Sequence, residues 1–80
     1  MTIQEAVLRR VDQLLRERNM TRYALCKKVA MPQSTLQHLY NSDQKSLNFN
    51  TIILFAEGFD MEVAEFLSHP LFLHENIETN

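Results

Sequence analysis

Glycine occurs once in this 80-residue chain, at Gly58, and proline only twice, at Pro32 and Pro70. Folds built from many short strands need turn-forming residues every few positions, so a chain this poor in them is directed towards helices. Eighty residues make one domain. A core of that size must be regular, or be supplemented by self-association. Apolar residues are 45% of the chain, enough to drive folding rather than leave it disordered. The single cysteine excludes an internal disulfide scaffold and a four-cysteine zinc site. The chain has no basic start followed by an apolar run and no stretch of bilayer length, so a soluble intracellular protein is expected.

The net charge of −2 conceals a division. Residues 1–45 carry all eight lysines and arginines and sum to +4, whereas residues 46–80 carry six acids and no Lys or Arg. One reading is a basic face and an acidic face on the same domain; the other is two ordinary solvated surfaces.

Helical spacing is legible throughout. Thr2 and Glu5 have capping-box spacing, and Ile3, Val7, Val11 and Leu14 recur on one face, predicting a helix over 3–18 that Asn19-Met20 ends. Thr21 is an N-cap candidate for a short helix carrying Leu25, Cys26 and Val29. Ala30-Met31-Pro32 breaks it, and Pro32 suits the first turn of a third helix over 33–40 with Leu36, Leu39 and Thr35 inward. A polar loop follows from Asn41 to Ser46. Asn48 caps a fourth helix over 49–59, where Phe49, Ile52, Phe55, Ala56 and Phe59 fall on one arc and Leu54 faces away with Ile53 at the edge. Asp60 suits a left-handed helix end. Met61, Val63, Phe66 and Leu67 belong to a fifth helix that stops at His69-Pro70. The domain is expected over 1–68, with 69–80 an acidic, loose tail. Leu71-Phe72-Leu73 has no evident core role, and with Leu54 it suggests an apolar patch for a homodimer.

Two short helices joined by a tight turn, the second with a polar face, make a helix-turn-helix candidate over 22–39. The stretch TRYALCKKVAMPQSTLQHLYNS, continued by LNFNTIILFAEGFDMEVAEFL, resembles the phage repressor and Cro type of helix-turn-helix regulators, from about Val7 to Leu67. Against the family pattern, Cys26 replaces alanine where the two helices cross, and Ala30 replaces the turn glycine. Ser42 replaces another common glycine. The resemblance implies an all-α, compact five-helix domain of the lambda-repressor-like fold. It implies sequence-specific binding of double-stranded DNA, transcriptional regulation as a repressor, a homodimer, and a cytoplasmic, nucleoid-associated protein of prokaryotic or phage type. Gln33, Ser34, Gln37 and His38 are then the base-contact candidates, a polar uncharged arc of a kind that suits base reading. Thr21, Arg22, Asn41 and Lys45 are the phosphate-contact candidates. Many family members place an Arg–Glu pair where this chain has Leu15 and Tyr40, so an apolar contact is expected there, with the Tyr40 hydroxyl reaching water or a polar neighbour.

Other chemistries find little footing. His69 and His74 lie on the tail with no further ligand at metal spacing. Asp60, Glu62 and Glu65 lack a calcium-loop pattern. Cys26 and His38 lack a third group and Cys26 reads as a core residue. No enzyme, cofactor, metal, membrane association or small-molecule substrate is expected. The alternative function is a protein-interaction module of the same fold that does not read DNA, which the weak overall charge favours.

Overall fold

The computed structural model describes residues 1–42 and 47–78, and among them there is no strand. The chain runs through α1 (Ile3–Glu17), α2 (Arg22–Val29), α3 (Gln33–Asn41), α4 (Phe49–Gly58) and α5 (Val63–Leu67), then two 3-10 turns, Pro70–Phe72 and His74–Asn76. The all-α, five-helix expectation is met.

Helix starts follow the capping residues. The Thr2 hydroxyl accepts from the Glu5 amide at 3.1 Å, and the Glu5 carboxylate accepts from the Thr2 amide at 3.3 Å. The Thr2 amide, and after it the Thr2 hydroxyl, donate to the Glu5 carboxylate and hold it below its usual range. Thr21 accepts from the Ala24 amide at 3.0 Å, and Asn48 from the Asn50 amide at 2.8 Å. Pro32 is the N-cap of α3, one place before the first turn where it was expected.

Three helix ends share one solution. α1, α2 and α4 each close with a left-handed residue, Asn19, Ala30 and Asp60, at φ of 52°, 55° and 56°. In each case the next amide reaches back to a carbonyl of the last turn: Met20 to Leu15 at 2.8 Å, Met31 to Cys26 at 2.9 Å, Met61 to Ala56 at 3.0 Å. Glycine is the usual occupant of such a position, yet the only glycine lies elsewhere. Asn and Asp tolerate the conformation better than most residues; Ala30 has no such excuse.

The core gathers Val7, Val11, Leu14 and Leu15 from α1, Leu25 and Cys26 from α2, and Leu36 from α3. Ile52, Phe55 and Ala56 of α4, with Phe59 and Phe66, complete it. Gly58 is where α2 rests on α4: a Cβ there would lie 2.4 Å from Leu25 Cδ1 and 2.9 Å from Val29 Cγ1. α1 also binds the C-terminal half through two arginines. Arg10 is buried; its Nε donates to the Phe66 carbonyl at 2.8 Å and one Nη to the Glu65 carbonyl at 3.2 Å, while the other Nη donates to Gln13. Arg18 donates to the Phe59 carbonyl and stands over the Phe59 ring. Both arginines thus supply donors where α5 and α4 run out of their own.

Several expected placements differ. Phe49 is 57% exposed rather than on the buried arc. It is the first residue of α4, and helical side chains lean towards the N-terminus, so Phe49 projects past the helix start. Thr35 is exposed, because it sits about 100° around the helix from Leu36 on a helix that buries only that residue. Leu54 is half-buried beside Ile53, since a helical leucine lies over its own preceding turn. The segment after α5 is docked rather than loose. Phe72 packs on Phe66 with ring centroids 6.2 Å apart. The Met1 ammonium donates to the Asn76 carbonyl at 3.0 Å, and the Glu78 amide donates to the Met1 carbonyl at 2.8 Å. Leu73 stays 50% exposed.

The left-handed alanine gives a direct test. Ala30→Gly removes a steric cost of about 1–2 kcal/mol and adds about 0.4–1 kcal/mol of unfolded-state entropy. A net stabilisation of about 0.5–1 kcal/mol is expected in the urea midpoint; no change, or a loss, would mean that the left-handed alanine is not strained.

Candidate nucleic-acid interface

α2 and α3 form the helix-turn-helix, joined through Ala30, Met31 and Pro32. Leu36 is the sole fully buried residue of α3. That single anchor turns the opposite arc outwards, and Gln33, Ser34, Gln37 and His38 are all exposed, as expected. Between α2 and α3 lies a groove lined by Arg22, Gln33, Gln37, Tyr40 and Asn41, with Cys26 and Leu36 at its base. It brings together two base-contact candidates, Gln33 and Gln37, and two phosphate-contact candidates, Arg22 and Asn41. Ser34 and His38 stand on α3 outside it. Thr21 is exposed at the N-terminus of α2, its oxygen accepting from the helix while its proton can serve an outer acceptor. Lys45 lies outside the described residues.

A second concavity, mostly apolar in its lining, flanks Gln33 on the other side and is formed with Tyr23, Lys27, Met31 and Pro32. Tyr23 is 54% exposed, and the Lys27 ammonium sits 5.5 Å from its ring centroid. The sequence reading passed over Tyr23, although an aromatic and a lysine four residues apart on one helix are a recognisable pair.

The basic half of the chain is partly engaged within the fold. Arg10 and Arg18 serve helix ends, and Lys28 pairs with Asp60 at 2.6 Å, holding that carboxyl below its usual range. Arg22 pairs with Asp12 at 3.4 Å. Arg9, Arg16 and Lys27 are exposed and, among the described residues, form no ion pair. The Cys26 thiol is pushed up by burial, which fits a packing role.

The link between α1 and α3 has an apolar part and, as expected, a polar end at the Tyr40 hydroxyl. Leu15 is buried and Tyr40 packs against the same cluster. The Tyr40 hydroxyl donates to Asp12 at 2.8 Å, and the Arg22 guanidinium lies 3.6 Å from the Tyr40 ring centroid. Burial, then the Asp12 carboxylate, raise the phenol far above its usual value.

The family of Cro/C1-type HTH DNA-binding domains matches residues 10–70, and the chain belongs to that family. Its members bind DNA and regulate transcription, and this protein is a DNA-binding regulator in that general sense. No curated protein and no solved structure matches the chain. Among the described residues no group of His, Cys, Asp and Glu could hold a metal ion, and no helix is long and apolar enough to cross a membrane.

The Tyr40 phenol is raised in the folded state, so its contribution to stability is complete below the unfolded value of about 10 and is lost as pH rises above it. Ultraviolet titration of a Tyr23→Phe variant should show one phenol resisting ionisation well beyond pH ~10. Asp12→Asn should bring it only part of the way back, because burial remains the larger cause. An ordinary titration would show the Tyr40–Asp12 contact to be absent in solution.

Proposed function

We propose that the protein is a sequence-specific repressor that inserts α3 into the DNA major groove. The observation that supports this reading best is the shared groove, which sets Arg22 and Asn41 beside Gln33 and Gln37 with Ser34 and His38 exposed along the same helix. Glutamine offers paired donor and acceptor groups that match adenine N6 and N7, and serine donates or accepts. Thr21, Arg22, Asn41 and Lys45 hold the phosphates and fix the register, with the α2 N-terminal amides adding to that hold. The protein acts by occupancy, without catalysis, cofactor or metal, and blocks polymerase when bound. It works in the cytoplasm, on the nucleoid.

Selection of bound sites from random duplex DNA tests the reading. An enriched motif is expected, with log K falling by about 0.9 per log unit of salt for each phosphate neutralised. Gln33→Ala should relax one base position and cost about 1–3 kcal/mol there. The engagement of Arg10, Arg18 and Lys28 inside the fold favours the second reading, a protein-interaction module. No enriched motif and a flat salt response would decide for it.

The protein is proposed to bind as a homodimer through the acidic half. Ile53 and Leu54 are half-buried on α4, Leu71 is half-buried, and Leu73 is exposed. A two-fold pair there leaves both α3 helices free for successive major grooves about 34 Å apart. Leu54→Lys should shift the protein towards monomer in sedimentation and weaken operator binding while the fold persists. A dimer unchanged by that substitution places the interface elsewhere.

A further inference from the structure

Among the described residues Arg22 is the one cation lining the groove between α2 and α3, and it is held by residues of two other helices. Its guanidinium carbon stands over the ring of Tyr40 on α3, 3.6 Å from the centroid and so at van der Waals distance. One of its Nη atoms lies 3.4 Å from Asp12 Oδ1 on α1. The same Oδ1 accepts from the Tyr40 hydroxyl at 2.8 Å. The side chain of Arg22 nevertheless remains 52% exposed. The stack therefore covers one face of the guanidinium and leaves N–H edges open to the groove mouth.

We infer that Tyr40 and Asp12 are positioning residues for DNA, holding the Arg22 guanidinium ready for a backbone phosphate. This rests on the reading of the α2–α3 face as the DNA surface. An arginine free in solution samples many rotamers and loses that freedom on binding. Here the ring has already restricted it. The two distances to Asp12 say which contact yields. The ion pair is long and half-exposed, so a phosphate can replace it; the hydroxyl bond is short and half-buried, so it stays. Asp12 keeps a donor when Arg22 turns to the phosphate, and no carboxylate is orphaned by the exchange. The stack on Tyr40 persists through it, because it engages the guanidinium face while the phosphate takes the edge.

The test uses the full chain and a labelled random-sequence duplex. Arg22→Ala and Tyr40→Leu should each weaken binding about fivefold, the factor a partly exposed cation–π stack corresponds to. The double variant should bind no more weakly than Arg22→Ala alone, since Tyr40 acts through Arg22. Tyr40→Phe, which keeps the ring, should lose less than Tyr40→Leu. In the unaltered protein, free and with duplex, the Arg22 Cδ protons should resonate upfield from the ring current of Tyr40. Wild-type binding by a folded Tyr40→Leu alongside weakened Arg22→Ala overturns the positioning role and leaves the DNA face standing. Multiplying losses in the double variant, or random-coil Arg22 shifts in the complex, overturn it too. Unchanged random-duplex binding by Arg22→Ala, together with an unchanged selected motif for Gln33→Ala, removes the DNA face itself, and the positioning role with it.

Discussion

A buried guanidinium with no carboxylate beside it holds the two halves of this domain together. Arg10 comes from the middle of α1 and ends at the C-terminus of α5, where it donates to the Phe66 carbonyl and joins the Ser68 amide on the Glu65 carbonyl. A charge in such a place is tolerated because carbonyl dipoles and Gln13 surround it, and because the Phe66 ring lies alongside, 5.8 Å from the guanidinium carbon to the centroid. Arg18 repeats the arrangement two turns later, against the end of α4. α1 is thereby fixed to α4 and α5 by direction as well as by apolar contact. α2 then packs on α4, and α3 follows α2 by a three-residue turn. The outward aim of α3 is the last step in that chain of supports.

This arrangement also explains why gross charge was a poor guide. The N-terminal half is basic in composition, but several of its cations complete the fold instead of forming a continuous field. Among the described residues the charge that reaches the α2–α3 groove is concentrated in Arg22, and it is shared with Asp12. The described surface therefore offers placed side chains rather than a broad positive field.

Helix boundaries were legible because caps are local chemistry. Thr2 with Glu5, Thr21 and Asn48 each announce a helix within a few residues, and Ala30 and Asp60 lie in the left-handed region as their positions require. The exposed arc of α3 was legible from periodicity alone. What escaped was long-range. Arg10 falls on the same arc as Ile3, Val7 and Leu14, a signal of burial that an apolar count ignores, and its partners lie more than fifty residues away. Asp12 carries no local signal of its role, because its partners, Tyr40 and Arg22, belong to other helices. The docking of Phe72 was hidden for a related reason: an apolar triplet after a proline carries no period to say which residue turns inward.

The place of Gly58 has a consequence for how such a sequence can drift. Its missing side chain is filled by Leu25 and Val29, the former almost wholly buried and without room to swing aside. Any larger residue at 58 meets Leu25 first, and any trimming of Leu25 leaves a void that only a larger residue at 58 can fill. Either single step costs stability, by overpacking at 58 or by a void at 25. A change at one position therefore favours a compensating change at the other, so an inherited pairing between α2 and α4 ties the helix-turn-helix to the acidic half across generations of substitutions.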